Sequence, residues 1–241
     1  VIRAATVLAQ RDDVDSTRIA LTGISWGGYL TCMAAGLDRR FAAAVPVFGC
    51  GYLHHNSVWM DEFTRLTPHD RAAWIEHFDP SSHLGRAEMP MLWLNGTNDF
   101  AYPLDSHRKS ALLAPGTRVL RLDPDMGHSH PDGWRPVEIQ RFIDAVVAGG
   151  PPLPTILSRD CDHGQAVVTF ESSVPVVRAT LCVTTDDWGW RARRWRKTIV
   201  STDVRSAGRV AAPIPAEATA WLMMLEDQQG GAVSTDPVEM E

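Results

Sequence analysis

The stretch GISWGGYL, residues 23–30, most constrains the fold of this chain, because it holds a Gly-x-Ser-x-Gly pattern centred on Ser25. The apolar, β-branched run before it (18–23) predicts a buried strand, and the residues after it (28–40) repeat apolar side chains at helical spacing. A serine at a sharp strand-to-helix turn projects its hydroxyl at the carboxyl end of the strand, where it can act as a nucleophile. The alternative is an ordinary turn with a capping serine.

Two backbone features of this turn follow from the nucleophile interpretation. Gly23 and Gly27 are expected to be small because backbone segments approach closely at the turn. The backbone N–H of Trp26, at the start of the helix, is expected to face a developing oxyanion.

Strands and helices alternate along residues 1–149, which predicts a parallel sheet. Apolar runs at 40–49, 90–96 and 117–123 predict further strands. Residue 1 lies in a helical pattern, and helices are also predicted for 103–116 and 133–150.

The segment GGPPLPT (149–155) is rich in Pro and Gly, and the spacing of apolar residues changes after it. Residues 150–154 are therefore interpreted as a linker. Short strands are predicted beyond it at 165–172, 176–185, 193–200, 218–227 and 232–240. We therefore predict that residues 155–241 form a small antiparallel β-domain resembling a sandwich.

Acyl transfer at a serine needs a base and an acid that orients the base. Asp99 follows the strand predicted at 90–96, and His128 follows the next strand, so the order is Ser, Asp, His at the carboxyl ends of parallel strands. His130 is the alternative base; His128 is favoured because Gly127 allows a tight loop. Asp99 could instead cap the following helix, although Asp105 is better placed to do so.

Composition argues against several classes of function. The formal net charge of −6 is unlike that of a nucleic-acid binder, and no apolar run approaches the length of a membrane span. The basic run RARRWRK (191–197) is interpreted as a strand with one solvated face. His54 and His55 lie together without a nearby ligand set and are expected to be solvated loop residues. No metal or cofactor is therefore expected.

The four cysteines have no Cys-x-x-Cys spacing, which argues against a zinc site. Cys32 and Cys50 are expected to be buried free thiols. A bridge between Cys161 and Cys182 remains open at this point.

Five motifs together resemble the α/β-hydrolase esterases that include acetyl xylan esterases and dienelactone-hydrolase-like proteins; they are GISWGGYLT, AAAVPVFGCGYL, FDPSSHL, MPMLWLNGTNDFAYPLDS and MGHSH. Prolyl-oligopeptidase-type hydrolases and PhoPQ-activated pathogenicity-related proteins are relatives of this group. The resemblance covers residues 1–148, and the tail is similar to a β-domain that follows the hydrolase domain in some members.

The resemblance implies an α/β-hydrolase fold with Ser25, Asp99 and His128 as catalytic residues, no cofactor, and a secreted or periplasmic location. Since such a sheet has several strands before its serine, we expect its front strands and the second oxyanion donor to lie upstream of residue 1.

We expect a carboxylic-ester hydrolase that acts on a small-molecule or polysaccharide ester, with an acetyl group on xylan as the favoured example. Aromatic side chains near the strand ends could stack on a sugar; besides Trp26, they are Tyr29, Tyr52, Trp59, Phe100 and Tyr102. The alternatives are a prolyl-oligopeptidase-type peptidase and a non-catalytic hydrolase remnant that binds a sugar or a partner. The intact set of Ser, Asp and His argues against the remnant.

Overall fold

The computed structural model describes residues 1–201 and 207–240. A four-stranded parallel sheet with helices comes first, and two antiparallel sheets follow, so the predicted fold class is confirmed. Within the described residues, no helix combines the length and the apolar character needed to cross a membrane.

The parallel sheet has the order β1-β2-β3-β4, with the strands β1 (Ala20–Ile24), β2 (Ala43–Val47), β3 (Met91–Gly96) and β4 (Arg118–Asp123). Every residue of β2 and β3 is buried, as expected for parallel strands covered on both faces. Most residues of β1, at one edge of the sheet, are only half-buried.

Helices occupy the connections between these strands and flank the sheet. The described residues include α1 (Ile2–Ala9), α2 (Trp26–Leu37), α3 (Leu53–Asn56), α4 (Met60–Arg65), α5 (Pro68–Phe78), α6 (Leu104–Leu113), α7 (His130–Trp134) and α8 (Glu138–Ala148). Because side chains alternate along a strand, one face of β3 presents Trp93 to the cluster that contains Cys32 of α2. The other face presents Leu94 to the cluster that contains Phe142 of α8.

The antiparallel strands are β5 (Thr155–Asp162), β6 (Gln165–Glu171), β7 (Val176–Thr184), β8 (Arg196–Ser201), β9 (Ala207–Pro213), β10 (Ala220–Asp227), β11 (Ala232–Ser234) and β12 (Val238–Glu239). They form one sheet of order β5-β6-β9 and another of order β11-β10-β7-β8, in which β12 also pairs with β10. Strands β5 and β9 were not predicted, because their sequences, TILSRDCD and AGRVAAP, lack apolar alternation.

The parallel and antiparallel parts share buried side chains. Leu153, in the predicted linker, is buried in the same cluster as Phe142 of α8 and Trp221 of β10. Strand β11 lies beside β4, where the Leu122 N–H donates to Ser234 Oγ at 2.9 Å. The β-rich part is therefore packed onto the edge of the parallel sheet through a continuous apolar core.

Two local predictions require correction. Strand β8 begins only at Arg196, and the basic run before it contains a 3₁₀ turn (Trp190–Ala192) and the buried Arg193, so the run is not one solvated strand face. His54 lies in α3 with Nδ1 3.6 Å from the buried Asp79, so it is not a solvated loop residue.

All four cysteines are free thiols in the structure, so the bridge left open between Cys161 and Cys182 is not formed. Cys32 and Cys50 are buried, as expected, and burial raises the pKa of each thiol well above its ordinary value.

Candidate active site

Ser25 lies between the last residue of β1 and the first residue of α2, with a positive φ of 58° and a ψ of −116°. This conformation is strained for a residue with a side chain, and such strain concentrates at functional sites. The Ser25 N–H donates to the carbonyl of Val47 at 2.9 Å, which ties the turn to the end of β2. The Ser25 hydroxyl makes no hydrogen bond to cap α2, unlike the capping serine of the alternative interpretation.

The glycines around Ser25 allow the close approach of three backbone segments. A Cβ atom on Gly23 would lie 2.4 Å from the Gly27 carbonyl oxygen, as expected for a tight turn. A Cβ atom on Gly27 would meet nothing within 4 Å, so the expectation for Gly27 is wrong. The crowded position is Gly28, whose Cβ atom would lie 2.4 Å from the Val47 carbonyl oxygen.

His128 connects Ser25 to a buried carboxylate. Its Nε2 lies 2.8 Å from Ser25 Oγ, and its Nδ1 lies 2.7 Å from Asp99 Oδ2. The other carboxylate oxygen of Asp99 accepts hydrogen bonds from the backbone N–H groups of Ala101 at 2.8 Å and Tyr102 at 2.7 Å. Because both oxygens have partners and Asp99 is only 3% exposed, the carboxylate is fixed in its orientation toward the imidazole.

Aromatic side chains surround the His128 ring. Phe48 stacks on it at a centroid distance of 4.8 Å, and Phe100 lies 4.9 Å away at a tilt. Tyr102 lies nearly parallel to it at 6.0 Å. This packing restricts rotation of the imidazole and reduces its contact with water. The role of Phe48 was not predicted, since it comes from the end of β2, 80 residues before the histidine.

The N-terminus of α2 points toward the serine. Trp26 is the first helical residue, so its N–H has no acceptor within the helix and lies at the positive end of the helix dipole. The Trp26 side chain stacks on Tyr29 at 4.4 Å, which holds the first turn of the helix in place.

The competing residues lie elsewhere. His130 is exposed and begins α7, whose first turn is capped by the side chain of Ser129. Gly127 does not adopt a positive φ, so the loop before His128 does not need the backbone freedom of glycine at this position. Asp99 does not cap α6, and neither does Asp105, which lies in the first turn of that helix and accepts hydrogen bonds from Asn56 at 2.7 Å.

The five aromatic candidates for substrate contact divide into two groups. Tyr29 and Tyr102 are 3% and 0% exposed, and burial raises the pKa of both phenols, so they serve packing and do not present a ring face. Tyr52 and Trp59 are half-buried, and Phe100 is 51% exposed. The Trp59 ring centroid lies 5.7 Å from that of the half-exposed Trp26 and 5.4 Å from that of Tyr102. Trp59 therefore bridges the turn that carries Ser25 and the aromatic residues around His128.

An apolar cavity of about 560 Å³ adjoins Trp26 on the side of α1 and α5. Its size is typical of small-molecule pockets, and Ser25 and His128 are not among the residues that line it. Within the part of the chain that the structure describes, no group of three or more His, Cys, Asp or Glu side chains could hold a metal ion.

Known proteins share this arrangement of elements. The model of the prolyl oligopeptidase family matches residues 1–135. An acetyl xylan esterase from Paenibacillus sp. R4 is similar with a TM-score of 0.52 and 29% sequence identity, over 60% of this chain and 50% of the esterase.

Two further solved structures show the fold alone, because their identity to this chain is low. An acylaminoacyl peptidase from Pyrococcus horikoshii has a TM-score of 0.50 and 19% identity, over 60% of this chain and 27% of the peptidase. A puromycin hydrolase has a TM-score of 0.52 and 18% identity, over 61% of this chain and 24% of the hydrolase. The chain therefore spans half of the esterase and about a quarter of the other two proteins.

Proposed function

Since the chain belongs to the prolyl oligopeptidase family of serine hydrolases and has an α/β-hydrolase fold, we propose that it hydrolyses carboxylic esters through an acyl-serine at Ser25. The observation that carries this proposal is the continuous hydrogen-bonded chain from Ser25 Oγ through both ring nitrogens of His128 to Asp99 Oδ2. A nucleophile, a base and an acid that orients the base are the groups that acyl transfer requires.

In the proposed reaction, His128 Nε2 takes the proton of the Ser25 hydroxyl while Oγ attacks the carbonyl carbon of the ester. The negative charge that develops on the carbonyl oxygen is stabilised by the Trp26 N–H, and one such donor is typically worth about 3 kcal/mol. His128 then gives its proton to the leaving alcohol. A water molecule, deprotonated by the same imidazole, releases the acid and restores Ser25.

Asp99 has the role of orienting the base. Its Oδ2 accepts from Nδ1–H of His128, which leaves the lone pair of Nε2 for the serine proton, and its charge stabilises the imidazolium that forms. The backbone donors to Oδ1 keep the carboxylate in place through the reaction.

For the substrate, we propose a short acyl ester of a carbohydrate, such as an acetyl group on a polysaccharide. The acetyl xylan esterase, at 29% identity, supports this choice. The exposed rings of Trp26 and Phe100 beside the site, with the half-buried Trp59 between the two sides, are suited to stacking on a sugar face. Esters also release their alcohol more readily than amides release an amine, so a site with few leaving-group contacts suits them better.

The second candidate function is a peptidase, and the match to the prolyl oligopeptidase family is the observation that favours it. The same three residues would act in the same steps, with an amine as the leaving group. A non-catalytic protein that binds a sugar or a partner is the remaining alternative, and it predicts no turnover.

The test is a substrate panel on the whole protein, with Ser25→Ala as the matched control. The panel contains p-nitrophenyl acetate, butyrate and octanoate, acetylated xylan, and a proline-containing peptide amide. Preference for acetyl esters, lost in Ser25→Ala, is the expected result. Cleavage of the peptide at a kcat/KM equal to that for the acetyl ester would favour the peptidase, and octanoate preference would indicate a lipase-like pocket. No turnover of any substrate would favour the non-catalytic alternative.

A further inference from the structure

The β-rich part of the chain contacts the loop that carries Asp99. The side-chain nitrogen of Asn98, directly before Asp99, has two N–H donors and lies within hydrogen-bond distance of three backbone carbonyls in the turn after β7. These are the carbonyls of Trp190 at 3.4 Å, Arg191 at 3.1 Å and Arg193 at 2.5 Å. The two partners are more than 90 residues apart in sequence.

The turn that receives Asn98 is held by its own contacts. The buried Arg193 donates from Nε to the Trp188 carbonyl at 2.9 Å, and its guanidinium lies 3.8 Å from the centroid of the Trp190 ring. The Trp190 ring in turn stacks on Trp195 at 6.2 Å. Asp186 accepts from the backbone N–H of Arg194 at 2.7 Å. These contacts hold the turn, and with it the carbonyls that Asn98 faces, through side chains other than Asn98.

Asn98 is also fixed on the hydrolase side. Thr97 Oγ1 donates to Asn98 Oδ1 at 2.8 Å, so the oxygen of the amide faces its own loop and the nitrogen faces the tail. Asn98 is thus joined to the tail turn on one side and to the loop of the acid on the other. Because Asn98 and Asp99 share a peptide bond, a shift of Asn98 is expected to move the Asp99 backbone and the carboxylate that accepts from His128.

We propose that Asn98 is a positioning residue, through which the tail turn at 188–193 sets the place of the Asp99 carboxylate relative to His128. This inference rests on the proposed function. It makes the β-rich part a component of the active site and not a separate binding module.

Other contacts attach the tail without reaching the acid. Arg141 Nη1 of α8 lies 2.7 Å from Asp227 Oδ1, and Ser234 Oγ accepts from the Leu122 N–H at 2.9 Å. Asn98 is therefore not the only contact that holds the tail on the sheet, and Ser234→Ala provides a control that weakens tail attachment at a place without contact to Asp99.

The first test compares Asn98→Leu, which keeps the size but loses the donor, with Ser234→Ala. A misplacement of about 1 Å in a catalytic group can cost about 100-fold in rate. We expect Asn98→Leu to lower kcat for p-nitrophenyl acetate by about 10- to 100-fold with KM within about twofold, measured below the unfolding transition. Ser234→Ala should lower the thermal midpoint and leave kcat nearly unchanged. An unchanged kcat in Asn98→Leu would overturn the proposal.

The second test is a double-mutant cycle with Asp99→Asn. If Asn98 acts through the acid, Asn98→Leu should change kcat by less than about twofold once the carboxylate has been replaced. The same fold-loss in both backgrounds would mean that Asn98 supports the fold only, and would overturn the proposal.

A third readout separates this inference from the proposed function. Hydrogen exchange of the Ala101 and Tyr102 amides, which donate to Asp99, should be faster in Asn98→Leu than in the parent and unchanged in Ser234→Ala. If the parent protein turns over no ester and Ser25 is not labelled, the proposed function fails, and this measurement still decides the positioning. Equal exchange rates of these amides in the parent and in Asn98→Leu would contradict the proposal that Asn98 positions Asp99.

Discussion

Replacing Gly28 with alanine should damage the protein far more than the same change at the adjacent Gly27. The two glycines share the first turn of α2, but a Cβ atom at position 28 would lie 2.4 Å from the Val47 carbonyl oxygen, and one at 27 would meet nothing within 4 Å. Ordinary contact begins near 3.4 Å, so the Val47 carbonyl or the helix must move by about 1 Å. That carbonyl accepts from the Ser25 N–H, so the movement also disturbs Ser25, the proposed nucleophile.

The magnitude follows from three contributions. Forcing a methyl group into a packed region costs about 1–3 kcal/mol, and loss of the buried hydrogen bond between Ser25 and Val47 costs about 1–3 kcal/mol. Alanine recovers at most about 1 kcal/mol through its helix propensity. We expect Gly28→Ala to lower the free energy of unfolding by about 1–5 kcal/mol. Gly27→Ala should range from no change to about 1 kcal/mol of stabilisation.

Urea unfolding followed by tryptophan fluorescence measures both values, and the rate of Ser25 labelling by a fluorophosphonate reports on the nucleophile. Gly28→Ala should label more slowly even where it is folded, while Gly27→Ala should label at the parent rate. Equal free energies of unfolding for the two variants, within about 0.5 kcal/mol, would refute the argument that the Val47 carbonyl limits the space at this turn.

Three further predictions concern single residues. His128→Ala should lower kcat by several orders of magnitude and His130→Ala by less than about threefold, and the reverse pattern in ester hydrolysis would reassign the base. Burial lowers the pKa of His107 to about 3, and its ring nitrogens have no hydrogen-bond partner among the described residues. The free energy of unfolding should therefore fall by about 1.4 kcal/mol per pH unit below pH ~6.5. Urea unfolding between pH 7 and 4 should show that His107→Leu lacks this part of the pH dependence of the free energy of unfolding. The same pH dependence in the parent and in His107→Leu would contradict the prediction. Asp79 is buried and accepts from three backbone N–H groups, so Asp79→Ala should lower the free energy of unfolding by about 3–5 kcal/mol. A decrease below about 1 kcal/mol in the same urea assay would contradict this prediction.

The sign of the His107 effect follows from the direction of its shift. The folded state holds this imidazole neutral down to about pH 3, while the unfolded chain takes up a proton near pH 6.5. Protons therefore favour the unfolded state between these two values. The stability that the neutral side chain permits is complete above pH ~6.5 and is lost as the pH falls.

The presence of the four parallel strands and the positions of Ser25, Asp99 and His128 after three of them could be predicted from the sequence, because these signals are local. Each residue directly follows an apolar run, and the carboxyl ends of neighbouring parallel strands meet at one edge of the sheet. Such signals need only a short window of sequence around each strand.

Features that depend on distant segments were not predictable. The crowding at Gly28 comes from Val47, and the contact of Asn98 joins the acid loop to a turn more than 90 residues later. The burial of Tyr102 against His128 likewise depends on how three separate segments pack. Strand β5 was missed because all eight of its residues are exposed or half-exposed, so its sequence shows no continuous apolar face.

The most direct test of the account is the site of covalent labelling in the whole protein. A fluorophosphonate probe followed by peptide mapping should place one adduct per chain on Ser25, because His128 Nε2 lies 2.8 Å from its Oγ and can accept the hydroxyl proton. The adduct should disappear in Ser25→Ala and form much more slowly in His128→Ala. Labelling that persists unchanged in Ser25→Ala, or parent protein that gives no adduct, would contradict the assignment of Ser25 as the nucleophile.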